Sequence, residues 1–164
     1  MSADAVGTVN AISIPATPNI VEYFNIHLEK KKSFKAYDKK KYFWNSTFFH
    51  NCNLNYYDLI YKNNSSDTAI EFIGENKYKE IITYGDLNKR INALSNFFQS
   101  LGIKKGDVVV GYLPNIPDTI ISFLSAAKIG AVWSSCSADF GTQAVIDRFS
   151  QLKPKLLIIA DHYF

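Results

Sequence analysis

Between Gly130 and Gly141 the sequence reads GAVWSSCSADFG. An apolar run, Ile129–Trp133, breaks off into Ser134, Ser135, Cys136, Ser137, Asp139 and Gly141, and a helix-like pattern over Val145–Leu152 follows. Small side chains at the end of a strand let a ligand approach the backbone. Free N–H groups near a helix start favour an anion or another acceptor. Gly141 is expected to take a conformation closed to other residues. A second grouping is Cys136 with Asp161 and His162, which on one sheet edge would suit a Cys–His nucleophilic site. Both groupings also have a plain reading. The first suits a strand-to-helix turn in which Ser and Asp supply caps, with Asp139 capping the helix start at Thr142–Val145. In the second, Cys136 is a packing residue. Trp133 suits either a stack on an adenine or pantetheine group, or a place in the core.

Other chemistry is missing from the sequence. It has no glycine-rich dinucleotide fingerprint and no Gly-Lys-Ser/Thr phosphate loop. Its Cys and His spacing suggests no zinc site. His27 and His50 read as surface or core residues. Lys30–Lys32 and Lys39–Lys41 read as solvated faces, and the only arginines, Arg90 and Arg148, lie elsewhere, so no nucleic-acid partner is expected. With 47% apolar and 20% charged residues and a net charge of +3, the composition is that of a folded chain with no strong charge bias. No apolar run reaches the roughly 18–20 residues of a membrane span. The first twenty residues lack the pattern of a secretory signal. Two lone thiols, Cys52 and Cys136, fit a reducing compartment, so a cytoplasmic location is expected.

The elements that must position the Gly130–Gly141 stretch follow from periodicity. Ala69–Ile73 and Glu80–Thr83 predict a hairpin. Thr83 is the expected cap of a helix, with Asp86 in the reciprocal position. Leu87, Ile91, Leu94, Phe98 and Leu101 form its apolar stripe, and Gly102 is its left-handed stop. Val108–Leu113 is a buried strand. Pro117 opens a second helix over 117–129 that ends at Gly130. Ala131–Ser135 is the next strand, Thr142 caps the third helix (Val145, Ile146, Phe149, Leu152), Lys153–Pro154 stops it, and Leu156–Ala160 is the last buried strand. The order α-β-α-β-α-β predicts a mostly parallel, doubly wound sheet with helices on both faces. In such sheets ligands sit beyond the carboxyl ends of the strands, here Pro114–Asp118, Ser134–Gly141 and Asp161–Tyr163.

Upstream, residues 1–19 read as a flexible arm and 20–30 as a helix capped by Asn19. Residues 37–61 hold nine aromatics (Tyr37, Tyr42, Phe43, Trp44, Phe48, Phe49, Tyr56, Tyr57, Tyr61). Each removes on the order of 150–250 Å² when buried. This irregular, aromatic-rich segment is therefore expected to wrap onto a folded body, either the rest of this chain or something absent from it.

From GDVVVGYLPNIPDTIISFLSAAKIGAVWSSCSADFGTQAVIDRFSQLKPKLLIIAD the chain resembles the acyl-adenylate-forming ligases. Within them it is similar to the acetoacetate–CoA ligases. TYGDLNKRINALSNFFQSLGIKKGDVV resembles the first helix of the superfamily and the turn after it. YLPN, GAVWSSCSADFG and DRF are more specific, and LNYYDLIY over Leu54–Tyr61 is similar to a Leu-Asn-Tyr segment of the same family. Residues 1–47 match poorly, and Phe49-His50-Asn51-Cys52 departs from the Phe-Pro-Gly that usually precedes it.

The resemblance implies the N-terminal part of a ligase large domain, with an arm over 1–62 and the first part of the AMP-dependent synthetase domain over 63–164. It implies ATP-dependent activation of acetoacetate through an acyl-adenylate, transfer to the thiol of coenzyme A, and a need for Mg²⁺. It implies that Ala138, Asp139, Phe140 and Gly141 line the coenzyme A side. The family's Lys-bearing loop and catalytic Lys are absent from these 164 residues, so an incomplete chain, inactive alone, is expected. The alternatives are a ligase for acetate or propionate, and a non-catalytic α/β binding module.

Overall fold

A computed structural model describes residues 9–10, 37–38, 43–45, 47–48, 55–58, 64–74 and 78–161. Residues 1–13 with 55–164 form one compact unit and residues 14–54 another. In the second unit, β2 (Tyr37–Asp38) pairs antiparallel with β3 (Thr47–Phe48), and Phe43–Asn45 makes a 3-10 turn between them. The helix expected over 20–30 and the arm over 11–19 lie outside the described residues.

The larger unit opens with an antiparallel sheet in the order β1-β4-β5: Val9–Asn10, Thr68–Ile73 and Lys79–Thr83. The hairpin read from the sequence is therefore present, with a short strand added to its edge. Its apolar face, Ala69, Ile70, Phe72 and Ile82, is buried against Leu87 and Ile91 of helix α1 (Tyr84–Ser100) and against Ile121 and Leu124 of helix α2 (Pro117–Lys128).

Helix α1 starts where Thr83 predicts. Its hydroxyl accepts from the Asp86 N–H at 3.2 Å and donates to the Asp86 carboxylate at 3.1 Å, so the reciprocal pair forms through the hydroxyl itself. The buried stripe is Leu87, Ile91, Ser95 and Phe98, and Leu101 falls outside it, 49% exposed. Ser95 belongs there because α1 and α2 approach closely. Its hydroxyl donates to the Ser125 carbonyl at 3.2 Å, and the Ser125 hydroxyl lies 2.6 Å from the Ile121 carbonyl and 3.3 Å from that of Ile91. Both helices end alike. At α1, Gly102 N–H donates to Gln99 and Ile103 N–H to Phe98. At α2, Gly130 N–H donates to Ala127 and Ala131 N–H to Ala126. Both glycines have positive φ, +79° and +73°, the left-handed stop that satisfies the last carbonyls.

The second sheet is parallel, in the order β7-β6-β8: Val132–Cys136, Val108–Tyr112 and Leu156–Ile159. Side-chain alternation divides its faces. Val109, Trp133, Leu156 and Ile158 cluster with Phe98 of α1 and Ala126 of α2. Val110 and Cys136 cluster with Phe149 and Val145 of helix α3 (Thr142–Ser150). The sheet is thus wound on both faces, as the element order predicts. The expectation that β8 is a fully buried strand is corrected. Leu157 and Ile159 are 51% and 60% exposed, because β8 is at the edge of the described sheet and the α3 cluster reaches only β6 and β7. Ile146 and Leu152, assigned to the apolar stripe of α3, are exposed, while Val145 and Phe149 pack on the sheet.

Candidate functional site

The three parallel strands point their carboxyl ends the same way, so Leu113–Ile116, Ser137–Gly141 and Ala160–Asp161 leave one edge of the sheet. From β6 the chain passes to α2 on one face, and from β7 to α3 on the other. Ligands of an open α/β sheet sit beyond this carboxyl edge, and in the order β7-β6-β8 the switch point falls between β6 and β8. Thr119 anchors one lip through its hydroxyl, which donates to the Pro114 carbonyl at 2.7 Å.

The other lip is the stretch singled out in the sequence. Ser137, Asp139 and Gly141 are exposed, Ala138 is half-buried, and Phe140 is 37% exposed. The Phe140 N–H donates to the Ser137 carbonyl at 3.2 Å, closing a turn. The phenol hydroxyl of Tyr112, at the end of β6, lies 2.9 Å from the Ala138 carbonyl and 2.8 Å from that of Phe140. The Arg148 guanidinium stands 4.5 Å over the Phe140 ring. These contacts leave a bare, small-residue loop against an ordered framework. They suit binding and orientation of a ligand and include no nucleophile.

Several expectations about individual residues are corrected. Gly141 has φ −64°, an ordinary value, and a Cβ placed on it would meet nothing within 4 Å. Its contribution is an uncovered backbone. Gly141 is itself the cap position of α3, so Thr142 stands inside the first turn, and neither Asp139 nor any other side chain caps this helix. Helix α3 ends at Ser150, and Lys153, with φ +47°, turns the chain before β8. Cys136 is 5% exposed within the α3-side cluster, which removes it as an open nucleophile. Asp161 is exposed on the same edge, and His162 lies outside the described residues, as do His27 and His50. Trp133 sits on the opposite face, with its indole over Gly111, where a Cβ would come within 2.7 Å. It is a packing residue.

Sequence reasoning missed Tyr112. It lies within a run read as buried strand, and its pairing with Cys136 across the sheet, which brings the hydroxyl to the neighbouring loop, becomes visible only in the register.

Asn55, Tyr56 and Tyr57 act as a fastener. The Asn55 side-chain amide donates to the Ala127 carbonyl near the end of α2 at 2.6 Å, and the Tyr57 hydroxyl donates to Asn88 on α1 at 3.2 Å. Tyr57 is buried and Lys128 stands 5.1 Å over its ring, while the Tyr56 ring lies 5.6 Å from that of Phe123. The expectation that the aromatics wrap onto a body thus holds for Tyr57. Trp44 is 77% exposed. Tyr42, Phe49 and Tyr61 lie outside the described residues.

Comparison with known proteins supplies the family. The model of the AMP-binding enzyme family matches residues 61–163. The chain belongs to the AMP-binding enzyme family. It is 40% identical over 117 residues to an acetoacetyl-coenzyme A synthetase of Rhizobium meliloti, covering 71% of this chain and 18% of that protein. It is 38% identical over 112 residues to the acetoacetyl-CoA synthetase of Mus musculus, covering 67% and 17%. Among solved structures, the acetoacetyl-CoA synthetase from Streptomyces lividans superposes with a TM-score of 0.71 at 27% identity, over 85% of this chain and 22% of that one. The chain therefore spans under a quarter of the length of these relatives. The mixed α/β architecture is that of an adenylate-forming ligase domain.

Among the described residues no group of three or more His, Cys, Asp or Glu is placed to hold a metal ion, so the expected Mg²⁺ finds no ligand set there. Among them, too, no helix is long and apolar enough to cross a membrane.

Proposed function

We propose that this chain serves an ATP-dependent acid–thiol ligase that converts acetoacetate to acetoacetyl-CoA through an acyl-adenylate, and that it contributes the coenzyme A side of the site. The observation that carries the reading is the 40% identity over 117 residues to an acetoacetyl-CoA synthetase. The AMP-binding enzyme family model, which matches residues 61–163, covers most of the unit that folds into the two sheets. The exposed Ala138–Gly141 loop at the carboxyl edge fits the part: an uncovered backbone and small side chains let a long, flexible thioester carrier lie close.

Adenylation needs groups that neutralise charge on the phosphates and a metal ion beside them. The described residues hold no such cluster, and no step of that half-reaction is assigned to them. Their part is to bind and orient. Tyr112 and Arg148 hold the loop, and Thr119 holds the turn that leaves β6. Ile146, Leu152, Leu157 and Ile159 are exposed apolar side chains, which suits a place within a larger body. We further place the activity in the cytoplasm, on the strength of the unpaired, buried Cys136.

The test has two arms. The isolated 164-residue chain, supplied with ATP, acetoacetate and coenzyme A, is expected to form no thioester. A hybrid in which residues 55–161 replace the matching segment of the Streptomyces lividans synthetase is expected to form acetoacetyl-CoA. A hybrid that folds and activates another short-chain acid in preference to acetoacetate would overturn the substrate assignment. Turnover by the isolated chain would overturn the assignment of chemistry to groups outside it.

A further inference from the structure

The geometry points to Tyr112 as a positioning residue for the coenzyme A-facing loop, an inference that rests on the reading of Ala138–Gly141 given above. Tyr112 closes the central strand of the parallel sheet, and its ring packs beside Val110, Cys136 and Phe149. From that anchored ring one hydroxyl hydrogen is shared between two carbonyls, at 2.9 Å to Ala138 and 2.8 Å to Phe140. A phenol has a single hydrogen to donate, so the two acceptors divide it in a three-centre bond.

The consequence reaches the other side of the loop. In a trans peptide the carbonyl and the following N–H point in opposite directions, and none of the described peptides is cis. Turning the Ala138 and Phe140 carbonyls inward therefore turns the N–H groups of Asp139 and Gly141 away from Tyr112. The hydroxyl thus fixes two peptide planes in a stretch of five residues whose following helix has no side-chain cap. Arg148, 4.5 Å over the Phe140 ring, holds the side chain between those planes. Tyr112 acts through the loop and touches no reacting atom.

Tyr112→Phe keeps the ring and removes only the hydroxyl, which makes it the decisive variant. In the 164-residue chain, hydrogen exchange of the amides over 137–141 is expected to speed up about three- to tenfold, the factor corresponding to one net hydrogen bond. Exchange over β6 and β7 should stay as in the parent. Unchanged exchange in the loop overturns the inference before any activity is measured. In the hybrid ligase, the KM for coenzyme A should rise by a similar factor, while acetoacetate-dependent ATP–pyrophosphate exchange, which needs no coenzyme A, keeps its rate. Equal loss in both half-reactions overturns the inference by making Tyr112 a general stability residue. Phe140→Ala separates the two levels of the proposal. If it raises the KM for coenzyme A and Tyr112→Phe does not, the loop reading stands and the role of Tyr112 falls. If neither variant moves that KM while pyrophosphate exchange persists, the loop does not face coenzyme A and both fall.

Discussion

The two edges of the parallel sheet are built in opposite ways. At the amino edge, the turns before β6, β7 and β8 are tied to one another. Asp107 accepts from the Lys104 N–H at 2.7 Å and from the Lys155 ammonium at 2.8 Å, and Lys155 also donates to the Gly102 carbonyl at 2.7 Å. Gly106 N–H bonds to Gly130, and Val132 N–H to Asp107. At the carboxyl edge, the Ser137–Gly141 loop is exposed and is held mainly through the Tyr112 hydroxyl and Arg148. Cross-linked turns resist change, whereas a lightly held loop on a rigid sheet is where ligands are met. One edge carries stability and the other is left open. The same substitution, Gly→Ala, placed at three points between them should therefore give three different answers.

The largest effect is expected in the sheet itself. A Cβ on Gly111 would fall 2.7 and 2.8 Å from the far edge of the Trp133 indole and 3.2 Å from Leu113. The indole cannot bend, so it must leave its place in the cluster with Phe98 and Ala126. Gly111→Ala should destabilise by about 1–3 kcal/mol, the usual cost of overpacking. Adding Trp133→Leu should return part of that loss in a denaturant titration. If the double variant shows no recovery, the contact with Trp133 is not the cause.

At the amino edge, Gly130 has φ +73°, and a Cβ there would meet the Lys105 side chain at 3.0 Å. The lysine stem can move aside but the backbone cannot, so the left-handed conformation sets the cost of Gly130→Ala at about 1–2 kcal/mol. A loss within error of zero would break the comparison at its stable end.

The same edge sets the response to acid. The Lys155 ammonium, followed by the Lys104 N–H, holds the Asp107 carboxyl below its ordinary value of 3.8. A carboxyl depressed in the folded state stabilises the fold above its unfolded pKa, and that contribution is lost as pH falls through the folded value. The melting temperature should therefore drop from about pH 4 downward, and more steeply than in Asp107→Asn. Equal acid slopes in the two proteins would remove Asp107 from the account. Asp86, held down by Lys89 and then by Thr83, responds in the same direction, so the comparison reads the difference between slopes.

This contrast also explains what the sequence discloses. Apolar periodicity, Pro117, Thr83 and the two glycine stops encode local geometry, and the parent elements follow from them. Gly102 and Gly130 are legible because each ends a helix. The loop is legible as a place because small residues follow an apolar strand, and as a family feature because GAVWSSCSADFG resembles a known segment. Its fastening is not legible, because it depends on Tyr112 pairing with Cys136 across a sheet whose register no local pattern carries. The same holds for Ser95 and Ser125, which lie on the buried stripes of their helices but whose polarity would place them outside a core. They are inside because α1 and α2 approach closely enough for side chain to meet carbonyl. The exposure of Leu157 and Ile159 was hidden in the same way, since β8 reads as apolar whatever covers it.

The smallest effect is expected at Gly141, and its sign is the informative part. With φ −64° and open space around its missing Cβ, the position accepts any residue on backbone and steric grounds. Gly141→Ala removes freedom from the unfolded chain without straining the folded one, so it should leave stability unchanged or raise it by up to about 1 kcal/mol. If the loop meets coenzyme A as proposed, the added methyl in the hybrid ligase should raise the KM for it. A protein that is no less stable yet binds coenzyme A less well would separate the open edge from the tied one by one atom. A clear loss of stability at Gly141 would mean that this loop is packed more closely than its exposure indicates, and the distinction between the two edges would fail there.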